Sequence, residues 1–299
     1  MYRVSSAHRT VYSVGFFLFL LLSSVAAAKQ PYKYNEAWRA HFFSRASYCK
    51  MDLIRSWTCG SPCARLDTFK PVAVFSSFLI GTSGFVGVDH AKRQIVVAFR
   101  GTNNLQNILA DVSALQVDYG RRSSCGRQCR VHTGFFDSYK SLRQQTRKAV
   151  LNLVEVNPTY EILITGHSLG GALATLASAD LQESLNGSPN LYPPWTISLY
   201  TFGSPRVGNA AFAKWVDALL VNGTKYRITH RLDPVVRTPA RLWGYVHTTT
   251  EVFFTSRANT SVVICNDSPG KEDRGCSLSK TSIWIDDHMY YMGDTIGCK

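Results

Sequence analysis

Six consecutive residues, Gly166-His167-Ser168-Leu169-Gly170-Gly171, set a hydroxyl nucleophile between glycines two positions before it and two after it. A serine held on a cramped turn from strand to helix requires such glycines, because a Cβ at either position would strike the neighbouring chain. Residues 160–165 (Tyr-Glu-Ile-Leu-Ile-Thr) read as a buried strand, and the small residues 171–179 suit a helix packed close to a sheet. The turn then places Ser168 at the amino end of a helix, where unpaired N–H groups and the helix dipole favour an oxyanion, with the Leu169 N–H as a natural donor. The chemistry this allows is acyl transfer through a serine ester. The plainer alternative is a glycine-rich connection with no chemistry, or the similar string of chymotrypsin-like proteases. The strand before the motif and the helix after it weigh against both.

A serine hydroxyl becomes nucleophilic when a histidine takes its proton and a carboxylate holds that histidine. Where the elbow sits on an α/β sheet, acid and histidine follow the serine in that order. After Ser168 the chain has His230, His247 and His288. Asp233 directly follows a strand-like run at residues 226–230, so a loop at the carboxyl end of the sheet can present it. His230 precedes that acid and drops out on chain order. His247 lies in an alternating strand-like stretch and His288 in Ile285-Asp286-Asp287-His288-Met289-Tyr290; the residues favour His288 and leave His247 open. Asp286 and Asp287 compete as the acid, but they are nearly adjacent to His288 and badly placed to face its ring.

The elements needed to position these groups alternate along the chain. Residues 84–89 and 94–99 read as strands about a polar corner, residues 135–156 as a helix stopped by Pro158, residues 197–202 and 226–230 as further strands, and residues 210–220 as a helix between them. The order predicts an α/β fold with a mostly parallel central sheet and helices on both faces. Residues 245–255 and 261–265 look like an antiparallel extension. No linker or repeat divides the chain, so residues 29–299 are expected to form one domain.

Residues 1–28 read as a secretory signal, with Arg3 and Arg9 at its start, an apolar run at 14–22 and Ala26-Ala27-Ala28 at its end. That predicts an extracellular protein or one in the lumen of a secretory or lysosome-like compartment. Removing two arginines and no acid would take the net charge from +13 to 13 − 2 = +11. Such a charge suits anionic lipid surfaces, and the absence of a basic cluster with interleaved aromatics speaks against nucleic acid. Eight cysteines, at 49, 59, 63, 125, 129, 265, 276 and 298, predict four disulfides in an oxidising compartment and no metal, since neither close pair has a matching partner pair. Asn222 and Asn259 match the glycosylation acceptor pattern.

These segments together resemble the fungal-type (class 3) triacylglycerol lipase family of the α/β-hydrolase superfamily. Residues 96–111, 132–139, 165–171, 200–212, 229–239 and 287–298 each echo a family segment, in the family's order. The resemblance implies Ser168 as nucleophile, Asp233 as acid and His288 as base, deciding against His247. It implies Thr102, just after Phe99-Arg100-Gly101, as the oxyanion partner of Leu169. It implies a short helical lid after Thr102, with Asn104, Leu105, Ile108 and Leu109, where Leu105, Ile108, Leu109 and Val112 recur at helical spacing and make one apolar face. It implies the disulfides Cys49–Cys298, Cys59–Cys63 and Cys265–Cys276, leaving Cys125 and Cys129 to close a small basic loop. The activity implied is hydrolysis of glycerolipid esters by a monomer without cofactors, in contact with a droplet or membrane surface. Phospholipase A1 and feruloyl esterase are alternatives on the same scaffold, and a catalytically silent lipid-binding module is the alternative from another class.

Overall fold

The computed structural model describes residues 31–102, 115–120, 123–188, 195–257 and 261–298. The expected signal, Asn259 and the lid residues Asn104, Leu105, Ile108 and Leu109 lie outside them.

The main sheet has eight strands: β1 (Phe69–Ser77), β2 (Thr82–Asp89), β3 (Gln94–Phe99), β6 (Glu161–His167), β7 (Ile197–Phe202), β9 (Lys225–His230), β11 (Glu251–Phe254) and β12 (Val262–Ile264), in that spatial order. The intervening numbers belong to a small second sheet of β4 (Gln116–Asp118), β5 (Arg130–His132), β8 (Gly208–Asn209) and β10 (Tyr245–Val246). β3, β6, β7, β9 and β11 run parallel, flanked by the antiparallel β1–β2 hairpin and by β12. The expected antiparallel extension is corrected here. Glu251–Phe254 joins the sheet parallel to β9, Tyr245–Val246 belongs to the small sheet, and only β12 turns back. The long connection after β9 returns the chain to the amino edge of the sheet before β11 starts, which is what a parallel neighbour requires.

Period-two alternation sends the parallel strands' side chains to two cores. Ile95, Val97, Phe99, Ile162 and Ile164 pack with α4 (Thr133–Val156) and α5 (Leu169–Asn186) on one face. Val96, Ala98 and Leu163 pack on the other with α1 (Tyr34–Ala46) and an aromatic group that includes Phe43, Phe69 and Phe85. Burial on both faces is why β3 and β6 are continuous apolar runs. α2 (Met51–Arg55) and α3 (Ser61–Ala64) are short, and α6 (Ala210–Leu219) precedes β9.

Candidate active site

β6 ends at His167 and α5 begins at Leu169, so Ser168 alone makes the turn, at φ 58° and ψ −130°. A non-glycine residue with positive φ is strained and must be held by its surroundings. The Ser168 N–H donates to Phe202 O at 2.9 Å, tying the turn to β7. A Cβ on Gly166 would lie 2.2 Å from Gly170 O, and one on Gly170 would lie 2.3 Å from Phe99 O, so both positions exclude a side chain. Gly101 brings the end of β3 to the same place, since its Cβ would stand 3.2 Å from Ser168 Cβ. Thr102 follows and lines a cavity of about 260 Å³ with Tyr48, His167 and His288. Leu169 is the first helical residue, whose N–H has no acceptor within its own helix.

Asp233 stands just past the carboxyl end of β9, and the His288 ring meets it through Nδ1, at 3.0 Å from Oδ1 and 2.9 Å from Oδ2. Both residues are buried. The carboxylate also accepts from the Val235 N–H at 2.8 Å and from the Tyr291 hydroxyl. With Nδ1–H given to the carboxylate, Nε2 is left as the basic atom of the ring. Nε2 and Ser168 Oγ are both buried and neither makes a hydrogen bond among the described residues. Gly203, at φ +57°, lets β7 approach this pair: its Cβ would be 3.0 Å from the His288 ring and 3.1 Å from Asp233 Oδ2.

The other candidates have other partners. His247 is buried with Nε2 2.8 Å from Val236 O, and burial holds its pKa well below the usual histidine value. His230 Nδ1 lies 3.0 Å from Asp287 O. Asp287 accepts from the Leu232 N–H at 3.2 Å, with Arg231 and Arg257 each 3.6 Å away, so it fastens the His288 segment to the β9 loop. Asp286 is exposed.

Three side chains that spacing alone did not reveal complete the surroundings: His167, Tyr48 and Tyr291. His167 Nε2 is 2.8 Å from His288 O, and its Nδ1 is 2.8 Å from the Tyr48 hydroxyl. A carbonyl can only accept, so Nε2 carries the proton and Tyr48 donates to Nδ1. Burial, with His288 close by, holds the His167 pKa well below the usual range and keeps the ring neutral. Tyr48 lies 119 residues from His167, and Tyr291 lies 58 residues from Asp233. No local motif links residues so far apart, and only the fold brings each pair together.

The cysteines pair as Cys49–Cys298, Cys59–Cys63, Cys125–Cys129 and Cys265–Cys276. The first joins the region after α1 to the chain's last described residue, beyond His288 in the sequence. Among the described residues one group of possible metal ligands occurs, Glu251 with Cys265 and Cys276. Those sulfurs are bonded to each other, and Glu251 Oε1 accepts from Thr229 Oγ1 and the Ser277 N–H, so the group offers no thiolate.

A strained serine between a parallel strand and a helix, on a sheet with helices on both faces, defines an α/β-hydrolase fold. Residues 96–243 match the family model described as lipase (class 3). A lipase of Rhizomucor miehei is 32% identical over 267 residues, covering 88% of this chain and 69% of the relative. A secreted mono- and diacylglycerol lipase A of Penicillium cyclopium is 38% identical over 186 residues, 62% of this chain and 56% of the relative. The solved structure of lipase II from Rhizopus niveus has a TM-score of 0.79 and 30% identity, covering 89% of this chain and 97% of that one. The chain belongs to the class 3 lipase family, and spans a little over half the length of the Penicillium relative.

Proposed function

We propose that this chain is a secreted serine carboxylic ester hydrolase acting on acylglycerols. Ser168 Oγ attacks the ester carbonyl while His288 Nε2 takes its proton, and the protonated histidine returns that proton to the departing glyceride alcohol. Water then attacks the acyl-serine by the same route, releasing fatty acid and restoring Ser168. Asp233 holds the ring's tautomer and balances its charge. Thr102 and the Leu169 N–H face the carbonyl oxygen as charge develops on it. The observation that carries this reading is the buried His288–Asp233 pair beside the strained Ser168 turn. The relatives' names divide between lipase and mono- and diacylglycerol lipase, which supports acylglycerols as the substrate class. Four disulfides and the relatives called secreted support an extracellular protein or one in a secretory lumen; a monomer, with residues 29–299 as one domain, belongs to the same proposal. The lid, with Asn104, Leu105, Ile108 and Leu109, belongs to the same proposal.

The test is tributyrin hydrolysis across its solubility limit. Wild type is expected to be active, with Ser168→Ala slower by at least about 10³-fold, and a rise in rate as droplets form supports the lid. Serine-dependent hydrolysis without that rise removes the lid. No serine-dependent hydrolysis of any acylglycerol overturns the enzyme reading.

A further inference from the structure

His288 stands on no strand of the sheet and on no long helix. Its backbone lies in a short 3₁₀ helix, Ile285–Met289, in the connection between β12 and Cys298. A base so placed must still hold its ring steady, since a displacement of about 1 Å from the reacting atom can cost roughly 10²-fold in rate. The Asp233 carboxylate holds Nδ1 of the ring, but it does not fix the main chain from which the ring hangs.

That main chain is held on both sides of the His288 Cα, each time by a buried imidazole. Asp287 O lies 3.0 Å from His230 Nδ1, and His288 O lies 2.8 Å from His167 Nε2. Because a carbonyl only accepts, His230 is the Nδ1–H tautomer and His167 the Nε2–H tautomer. His230 Nε2 is buried with no hydrogen bond among the described residues, which is where a proton would have no acceptor. The two donors come from the strands that lead to the other members of the site. His167 ends β6 immediately before Ser168, and His230 ends β9 three residues before Asp233. β7 lies between these strands, and Gly203 at its end leaves room for the His288 ring. The Tyr48 hydroxyl donates to His167 Nδ1, and Gly101 packs on that hydroxyl, since its Cβ would lie 2.2 Å from Tyr48 Oη. The end of β3 is thereby tied to the same group.

We infer that His167 and His230 are positioning residues for the base: by holding the two carbonyls that flank the His288 Cα, they set where its Nε2 stands relative to Ser168 Oγ. Imidazoles suit this task because they donate without carrying charge. Burial holds the pKa of both rings below the usual histidine value, and the nearby His288 lowers that of His167 further. The His167 and His288 ring centroids are 4.5 Å apart, so a permanently charged donor in that place would oppose the charge that His288 gains as it takes the serine proton. The role rests on the ester-hydrolase reading of Ser168, Asp233 and His288.

The experiment measures hydrolysis of a dissolved short-chain ester by His167→Leu, His167→Gln, His230→Leu and His230→Asn, each normalised to its folded fraction from urea unfolding. Glutamine returns an N–H near the place of Nε2 and asparagine one near the place of Nδ1, whereas leucine returns neither. Each leucine variant is expected to lose about 10- to 100-fold in kcat with KM within about twofold of wild type, and each amide variant to stand within about fivefold of wild-type kcat. A leucine variant that loses less than about threefold, or an amide variant no better than its leucine counterpart, overturns the role of that residue. A rise in KM at constant kcat overturns it too, because the ring then serves substrate binding. A second readout needs no turnover: the low-field proton resonance of the His288–Asp233 hydrogen bond, identified by its loss in His288→Gln. It is expected to persist in wild type and the amide variants and to shift or broaden in the leucine variants, and an unmoved resonance in the leucine variants overturns the proposal. Absence of serine-dependent hydrolysis in wild type, with those resonance changes present, sinks the hydrolase reading and leaves the positioning of His288 standing.

Discussion

At the residue scale the arrangement around Asp233 sets how well His288 can serve as the base proposed for it. A buried carboxylate with one histidine partner would still need its other lone pairs met, and the Val235 N–H and the Tyr291 hydroxyl meet them. Tyr291→Phe removes one donor and keeps the ring that packs by His167 and Phe202. The expected result is a fall in kcat of about 10-fold, corresponding to a charge-assisted hydrogen bond of about 1.5 kcal/mol, with KM little changed. Kinetics on a dissolved ester check it; an unaltered kcat would show that the tyrosine only fills space. The Ser168 turn and the Asp233–His288 pair were legible in the sequence because an elbow motif and chain order restrict the choices, with the family resemblance deciding against His247. Tyr291 and Tyr48 were not, because a hydroxyl that orients another side chain has no spacing rule and acquires its partner only when the chain folds.

At the scale of elements, the site depends on loops that must meet across the sheet edge. Arg206, on the loop after β7, holds Glu272 through two hydrogen bonds of 2.7 Å and also donates to Pro239 O at 2.9 Å. The same carboxylate accepts from the His247 N–H at 3.0 Å. Burial alone would raise the Glu272 pKa, but Arg206 and its neighbours prevail and hold it below the usual carboxylate range. The pair thus fastens the Cys265–Cys276 loop to the loop that carries Asp233. Glu272→Gln leaves a buried guanidinium without its counter-charge and is expected to cost about 3–5 kcal/mol, read as a lower urea midpoint; a midpoint within error of wild type would remove the pair from this role. The parallel strands were legible because burial on both faces makes them continuous apolar runs. α1 was not, since it buries His41, Ser44 and Arg45 beside Phe42 and Phe43 and so shows no clean stripe. The orientation of β11 was misread because alternation along a strand says nothing about which way its neighbour runs.

Across the whole molecule, buried titratable groups make stability depend on pH in both directions. His41 is fully buried with neither ring nitrogen hydrogen-bonded among the described residues, and burial, with Arg45 adding repulsion, lowers its pKa to about 3. His167 and His247 are lowered in the same sense, chiefly by burial. Above about pH 6.5 these rings are neutral folded or unfolded. Below it the unfolded chain binds protons that the fold refuses, so their stabilising contribution is lost as pH falls toward the folded values. Asp217 acts oppositely. Burial raises its pKa to about 7 despite Lys225 and Thr249, so its contribution is complete below the unfolded value of about 3.9 and is lost as pH rises through about 7. The histidines outnumber it on the acid side, and stability should decline there. His41 alone contributes roughly 1.4 kcal/mol per pH unit across that window. His41→Leu keeps an apolar side chain against Phe42 and Phe202 and removes the proton site. Urea unfolding at about pH 6 and about pH 4.5 should then show the wild-type loss shrinking by about 2 kcal/mol in the variant. Equal losses in the two chains would mean that the His41 ring takes up its proton in the fold as readily as in the unfolded chain, and the acid limb would have to come from His167 and His247.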